Sequence, residues 1–200
     1  GFEEEYPRGT RFVVESGKGD RKPAYVVYSS SGRQVSRNEG TDAEQIKAFV
    51  NNYGIDYEFW NIDKLEADGG VQDGETEQER VLRVFSDEIS ALKERGGYKS
   101  ADVIALFPDT PNLDAMLSKF DKEHLHTEDE VRFVVDGRGV FTIHGEDDKV
   151  FDVEVHPGDL LVVPTNTWHW FNLCEDRTIK CIRIFESTDG WAPVYREEGA

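Results

Sequence analysis

The second half of the chain is a regular series of short β-prone segments, and this pattern constrains the fold more than any other feature. The turn sequences DGRG, GEDD and HPGD separate the segments EVRFVV, VFTIH, VFDVEV, LLVVP, WHWFN and IKCIRIF. Short strands at regular spacing are typical of antiparallel barrels and double-sheet jelly rolls. The sequence therefore predicts a mainly β fold built as a barrel of this kind.

The first half of the chain mixes helices with strands. Apolar residues at helical spacing predict three helices, over 41–54, 76–96 and 111–120. The second of these begins with a capping box formed by Thr76 and Glu79. Strands are predicted over 25–28, 55–62 and 101–107. We expect the helices to pack on the outside of the barrel.

A chain of 200 residues is long enough to bury one core without dividing into two domains. Polar and charged residues, with Gly17 and Gly19 as breakers, predict a loosely ordered segment over 1–22. The remainder, 23–200, is predicted to be a single domain. Within it we expect a helix-containing part over 23–121 and a β-rich part over 122–190.

The charge of the chain bears on its partners. The formal net charge is −18 and no basic block is present, whereas nucleic-acid binding needs clustered Lys and Arg. No segment approaches the roughly 20 apolar residues of a membrane-spanning helix, and the N-terminal GFEEEYPRG lacks the apolar run of a signal peptide. We therefore expect a soluble cytoplasmic protein that binds neither nucleic acid nor membrane. Cys174 and Cys181 are expected to be free, half-buried thiols.

Two of the five histidines, His124 and His126, lie one residue apart in the segment EHLHTEDEVRFVV. Residues two apart on a strand share a face at about 7 Å, so both imidazoles can reach one metal ion. On a straight strand Glu130 would lie about 20 Å from His124, too far to share that ion. If Glu130 is a ligand, the chain must turn at 127–129, so that the histidine pair ends one strand and Glu130 begins its neighbour. Arg132 would then share the face of Glu130.

His169, in the segment PTNTWHWF, is the candidate for a fourth ligand. Three imidazoles and one carboxylate suit divalent iron, nickel, manganese, cobalt or zinc, and a ligand set without thiolate argues against a structural zinc site. Four protein ligands leave two positions of an octahedral ion open to a substrate. This pattern indicates a catalytic site rather than a structural one.

Other interpretations of the same residues are open. A pair of histidines near a strand end can face solvent, and Arg132 can be a surface ion-pair partner. His144 and His156 lie beside turn sequences and are expected at the surface. A purely structural barrel is disfavoured because four polar, ligand-type side chains would face an interior that ought to be apolar.

The spacing of these residues resembles the cupin signature. Its first motif has two histidines one residue apart, then Glu, then Gly, and His124, His126, Glu130 and Gly137 fit that spacing. Ser118 stands where this motif begins with Gly. In the second motif Gly158, Pro164 and His169 match, while Asn166 replaces a glycine and Asn172 comes one residue early.

The chain resembles one cupin family more closely, the acireductone dioxygenases of methionine salvage. The segment EHLHTEDEVRFVVDGRGVF is similar to the metal-binding segment of that family, and PTNTWHWF and IRIFESTDGW are similar to its later landmarks. The likeness extends through GYKSADVIALFPDTPNLDAMLSKF and covers nearly all of the chain after its first twenty or so residues. It implies a cupin double-stranded β-helix with flanking helices.

This resemblance implies specific roles for individual residues. His124, His126, Glu130 and His169 would hold one Fe(II) per monomer, with Ni(II) as the alternative metal. Arg132 would contact substrate oxygens. The remaining pocket residues implied are Phe120, Phe171, Arg183 and Trp191. For the three aromatic residues the alternative is core packing, and for Arg183 it is an internal ion pair.

The reaction implied by the resemblance is the cleavage of acireductone, 1,2-dihydroxy-3-keto-5-methylthiopentene, by O2. With iron the products would be 4-methylthio-2-oxobutanoate and formate, and with nickel they would be methylthiopropionate, formate and carbon monoxide. Another metal-dependent cupin oxygenase or isomerase, or a non-catalytic metal-binding cupin, is the alternative. We expect a monomer, because no exposed apolar helix face stands out in the sequence.

Overall fold

The computed structural model describes residues 24–29, 34–38, 43–147, 149–187 and 192–196. Strands and helices are numbered below in chain order. The predicted N-terminal segment 1–22 and Trp191 lie outside the described residues.

Two antiparallel sheets form the framework of the protein. The larger sheet consists, in spatial order, of β12 (Val194–Tyr195), β5 (His124–Leu125), β10 (Trp168–Leu173), β7 (Gly139–His144), β8 (Lys149–Val155), β1 (Ala24–Ser29) and β2 (Gln34–Asn38). The smaller sheet consists of β3 (Asp56–Phe59), β9 (Asp159–Val163), β6 (Glu130–Gly137), β11 (Ile179–Phe185) and β4 (Ser100–Leu106). Each β-prone segment of the second half of the sequence is therefore a strand, as predicted.

The inner faces of the two sheets enclose one hydrophobic core. Phe141 and Phe151 of the larger sheet pack in the same cluster as Val134 and Leu161 of the smaller sheet. Alternate residues of each strand point inward, because successive side chains of a strand lie on opposite faces. The interior of the barrel is therefore apolar over most of its length, and polar residues on an inner face need partners.

The part of the chain that the structure describes contains five helices beside the sheets. They are α1 (Ala43–Asn51), α2 (Asp63–Ala67), α3 (Glu77–Val84), α4 (Ser86–Gly96) and α5 (Leu113–Leu117). Thr76 and Glu79 form the predicted capping box at the start of α3. None of the described helices is long and apolar enough to span a membrane.

A second core lies on the outer face of the smaller sheet. Phe133 of β6 is fully buried there, with its ring 4.9 Å from that of Phe85 and 4.6 Å from that of Trp60. Ile89 and Leu92 of α4 belong to the same cluster. The prediction that helices pack outside the barrel is confirmed.

The prediction of a single helix over 76–96 is wrong, because two helices, α3 and α4, occupy this segment. Phe85 has backbone angles of φ −102° and ψ 19°, which separate α3 from α4. Its side chain is fully buried against Phe133, so tertiary packing outweighs the helical periodicity of the surrounding sequence.

The expectation that His144 and His156 lie at the surface is wrong. Their exposed fractions are 6% and 7%. His144 Nδ1 lies 2.7 Å from the carboxylate of Glu123, and His156 Nε2 lies 2.8 Å from that of Glu154. These contacts explain the burial, because a buried imidazole is tolerated when its nitrogens have hydrogen-bond partners.

Cys174 and Cys181 are free thiols in the described part of the chain, as expected, but they are fully buried rather than half-buried. Burial raises the pKa of each thiol to about 12. Both cysteines are therefore protonated near neutral pH, and neither has the thiolate character that reactive cysteines need.

Gly137, at the end of β6, is required by two separate constraints. Its φ of +72° lies in the left-handed region, and a Cβ atom there would lie 2.1 Å from the carbonyl oxygen of Thr178. We predict that Gly137→Ala lowers the free energy of unfolding by more than the roughly 1–2 kcal/mol that a left-handed alanine costs. Denaturant unfolding followed by circular dichroism measures the change.

Gly74→Ala is the matched control for this prediction. Gly74 has a similar φ of +78°, but nothing lies within 4 Å of its added Cβ. The two variants share the backbone strain and differ in the steric overlap. Equal destabilisation of the two variants would show that the contact with Thr178 is unimportant.

Candidate metal centre

The candidate ligands meet on the inner side of the barrel. Donor atoms of His124, His126, Glu130 and His169 all lie within 4.8 Å of one another. The exposed fractions of the three histidines are 1%, 4% and 1%, and the side chain of Glu130 is 9% exposed. The structure thus brings together four residues that the sequence places in two separate segments.

The backbone explains this convergence. His124 of β5 pairs with His169 of β10 in the larger sheet, so their side chains lie side by side. Glu130 begins β6 in the smaller sheet, where it pairs with Val163. The turn predicted at 127–129 is present, but β5 and β6 are not hydrogen-bonded neighbours. The turn instead carries the chain from one sheet to the facing one, and the ligands meet across the space between inner faces.

The turn itself is anchored to distant segments. Glu128 accepts hydrogen bonds from the backbone and the hydroxyl group of Ser187. Asp129 accepts one from the Tyr98 hydroxyl at 2.8 Å and one from the Thr165 backbone N–H at 3.0 Å. The segment between the histidine pair and Glu130 is therefore held from three directions. Such anchoring fixes the direction from which Glu130 enters the site.

Backbone carbonyls determine which imidazole nitrogens face the site. The Nδ1 atoms of His124 and His169 lie 2.6 and 2.7 Å from the carbonyl oxygens of Lys122 and Thr167, to which they donate. Each ring then presents Nε2 to the cluster. Orientation of this kind, with one nitrogen held by a carbonyl, is typical of histidines that bind metals.

The residues present fit a divalent metal ion. Nε2 of His126 is buried and has no hydrogen-bond partner among the described residues, a costly arrangement that a metal bond would relieve. Burial, followed by electrostatic interaction with the neighbouring His169, lowers the pKa of His124 to about 4. The imidazole is therefore neutral near pH 7, which is the form that binds a metal.

Glu130 is ionised in the same environment. Burial alone would raise the pKa of its carboxyl group, but the charges of Arg132 and His169 outweigh burial and hold the pKa well below its usual value. Arg132 Nη2 lies 3.1 Å from Oε1, and His169 Nε2 lies 2.5 Å from Oε2. Binding of a divalent ion would require all three imidazoles in the neutral form, so that the ion and the carboxylate together would carry one net positive charge.

A cavity of about 60 Å³ adjoins the cluster. Its polar end includes Arg132 and Arg183 together with His124 and Glu130. Its apolar wall consists of Ile104, Leu106, Leu117, Phe120, Phe141, Phe171 and Ile179, and Cys181 also lines it. Phe120, Phe171 and Arg183 therefore line this cavity, and their contact with a substrate stays a prediction. Trp191 is outside the described residues.

Arg183 takes part in an internal ion pair and also lines the cavity. Its Nε and Nη2 atoms donate to the two carboxylate oxygens of Asp102 at 2.8 and 2.6 Å. Arg183 lies opposite Arg132 in the pairing of β11 with β6. Sequence reasoning missed Asp102 because its segment reads as a buried strand. The sequence did offer one indication, because Asp102 is an acidic residue in the otherwise apolar segment ADVIALF.

Comparison with known proteins is consistent with this geometry. The model of the ARD/ARD' family matches residues 55–193. The acireductone dioxygenase of Bacillus velezensis is 48% identical over 157 residues, which cover 78% of this chain and 88% of the relative. The chain belongs to the acireductone dioxygenase family. A member of the family from Sulfurihydrogenibium is 40% identical over 176 residues, or 87% of this chain and 95% of the relative.

A solved structure supports the fold. The acireductone dioxygenase of Bacillus anthracis, with a cadmium ion in its active center, aligns with a TM-score of 0.76 and 42% identity. The alignment covers 88% of this chain and 100% of that protein. The predicted mainly β cupin fold is confirmed. In this acireductone dioxygenase family member, the three histidines and Glu130 have the residue types and spacing that could hold a metal ion.

Replacement of Glu130 tests the cluster directly. We predict that Glu130→Gln lowers the nickel content of the reconstituted protein, measured by elemental analysis after dialysis, by at least about tenfold. The amide preserves the size of the side chain but removes the charge that attracts the ion. Glu146→Gln, at an exposed carboxylate, should retain the wild-type content. Full nickel content in the Glu130 variant would exclude Glu130 as a ligand.

Proposed function

We propose that this protein is a metal-dependent dioxygenase that cleaves acireductone, 1,2-dihydroxy-3-keto-5-methylthiopentene, with O2. The observation that carries the proposal is the buried cluster of three histidines and Glu130 beside a cavity with a cationic end and an apolar wall. The cluster supplies a place for a metal ion, and the cavity supplies a place for an anion with an apolar tail. The membership of the chain in the family supports the same reaction.

In this proposal His124, His126, Glu130 and His169 hold one Fe(II) ion per chain, with Ni(II) as the alternative metal. The set contains nitrogen and oxygen donors without thiolate, which suits both ions. When bound, the ion supplies a Lewis-acidic, oxygen-reactive centre for the enediol substrate. The protein contributes the fixed orientation of the ligands, which the carbonyls of Lys122 and Thr167 maintain for two of the imidazoles.

Arg132 is proposed to bind the oxygens of the substrate anion. Its guanidinium reaches Glu130 and also lines the cavity, so it lies between the proposed ligand and the space for the substrate. A fixed positive charge at this point stabilises negative charge that develops on the enediol oxygens. Arg183 adds a second guanidinium, and Asp102 balances its charge.

The apolar wall is proposed to receive the methylthio group. Phe120 and Phe171 line the cavity, and the backbone N–H of Phe171 donates to the carbonyl of Phe120 at 2.8 Å, so the two aromatic residues are held together. Thioether sulfur packs favourably against aromatic rings. These rings also limit the access of water to the polar end. We assign Trp191 to the same pocket on the resemblance alone.

The metal is proposed to determine the products. With iron we expect 4-methylthio-2-oxobutanoate and formate, and with nickel methylthiopropionate, formate and carbon monoxide. The iron products place the protein in methionine salvage. We further propose that residues 23–200 form one cupin domain, that the protein acts as a monomer in the cytoplasm, and that it binds neither nucleic acid nor membrane.

Reconstitution with a single metal tests the activity and the metal together. Metal-free protein is loaded anaerobically with Fe(II) or Ni(II), mixed with acireductone and exposed to oxygen. We predict that both loaded forms consume acireductone faster than the metal-free protein does, and that carbon monoxide forms only with nickel. Keto acid and carbon monoxide are measured in the same reaction. Consumption no faster than the metal-free background would favour another metal-dependent oxygenase or isomerase.

The role of Arg132 is tested by a variant that keeps its charge. Arg132→Lys loses the planar pair of donors, and we predict that kcat/KM for acireductone falls about a hundredfold while the metal content is unchanged. Arg95→Lys is the control, because Arg95 is an exposed residue of α4 that pairs with Glu58. Unchanged turnover in the Arg132 variant would remove its substrate role and leave the metal assignment intact.

A further inference from the structure

The C-terminal segment 192–196 covers the strand that carries one of the metal-site histidines. Tyr195 of β12 pairs with His124 of β5, and β12 is the edge strand of the larger sheet. On the other side of β5, the pairing with β10 among the described residues is limited to His124 and His169. Strand β5 is therefore short, and two of its three residue pairs among the described strands are with the C-terminal segment. A strand with so few pairs frays readily without further contacts.

Arg196 provides such contacts to both strands that carry metal-site histidines. Its backbone N–H donates to the carbonyl of Glu123, and its Nη1 donates to the carboxylate of Glu123, both at 3.1 Å. Its guanidinium carbon lies 5.1 Å from the centre of the Trp168 ring. Glu123 immediately precedes His124, and Trp168 immediately precedes His169. One side chain therefore contacts the chain neighbours of two histidines of the cluster.

The contact between Arg196 and Glu123 is part of a hydrogen-bond network that includes His144. His144 Nδ1 donates to the same carboxylate oxygen at 2.7 Å, so this oxygen accepts from β7 and from the C-terminal segment. Nη1 of Arg196 lies 3.2 Å from His144 Nδ1. The neighbouring Tyr195 donates its hydroxyl to the carbonyl of Lys119 at 2.9 Å. Glu123, which precedes β5, is thus contacted by one side chain of β7 and one of the C-terminal segment.

We propose that Arg196 is a positioning residue for the metal site. Through Glu123 and Trp168 it holds β5 and β10 at a fixed separation, so that His124 and His169 are preorganised for one ion. Metal affinity depends on such support, because ligands that must be ordered upon binding lose part of the binding free energy. The inference rests on the proposed assignment of these histidines as ligands, but it does not depend on the substrate.

The test compares nickel affinity in variants of the full-length protein. We expect Arg196→Gln to weaken Ni²⁺ binding about tenfold, measured by competition with a chromogenic chelator. Arg196→Lys should bind with intermediate affinity, because lysine keeps the charge near Glu123 but lacks the planar group that stacks on Trp168. Arg177→Gln is the control, since Arg177 pairs with the exposed Asp114. Nickel affinity equal to wild type in Arg196→Gln would overturn the proposal.

A double-mutant cycle separates positioning from a general loss of stability. Glu123→Gln should weaken nickel binding to a similar extent, and the double variant with Arg196→Gln should be scarcely weaker than either single variant. Fully additive losses would show that the two residues act independently and would overturn the proposal. Thermal unfolding of each metal-free variant is measured in parallel. The proposal would also be overturned if Arg177→Gln lost as much stability as Arg196→Gln and lost as much nickel affinity.

These outcomes are distinct from those that test the reaction. Nickel binding requires no substrate, so weakened binding in Arg196→Gln together with a wild-type protein inactive on acireductone would contradict only the proposed function. Unchanged nickel affinity together with an active wild-type protein would contradict only the role of Arg196.

Discussion

The meeting of donor atoms from two facing sheets is the constraint on which the rest of the structure depends. His124 and His169 come from one sheet and Glu130 from the other, and an interior that is otherwise apolar surrounds them. Burying a carboxylate and three imidazoles is unfavourable unless each group has a partner. A metal ion bound to the cluster would provide a partner for all four groups. The turn at 127–129 and its anchors follow from the same need, because they carry the chain across the barrel.

Charge along the inner face of the smaller sheet explains how one site can serve an anionic substrate with an apolar tail. Glu130 contacts Arg132, Arg132 lies opposite Arg183, and Arg183 is paired with Asp102. Two guanidinium groups thus lie on adjacent strands beside an aromatic wall, and each has a carboxylate partner. The two carboxylates limit the net charge of this region while the guanidinium groups remain at the cavity.

The outer helices and the C-terminal segment support this arrangement from outside the barrel. Helices α3 and α4 cover the outer face of the smaller sheet, so that β6 is buried on both faces. The larger sheet receives support of another kind near β5, where Arg196 joins segments on either side of the cluster. A residue outside the cluster therefore contacts the chain neighbours of two candidate ligands, His124 and His169.

The sequence by itself determined most of the strands, the capping box at Thr76 and the need for a turn if Glu130 is a ligand, because periodicity and turn residues act over a few positions. It did not indicate the short edge strands β2 and β12. It could not assign β5 and β6 to different sheets. The alternation of apolar and polar residues shows which face of a strand is buried, but it does not show which strands pair with it. Burial of His144, the break at Phe85, and the partners Asp102 and Glu123 were decided only by tertiary structure. Arg183 and Asp102 are 81 residues apart, and Arg196 and Glu123 are 73 apart. Contacts over such separations depend on how the whole chain packs, which no local pattern encodes.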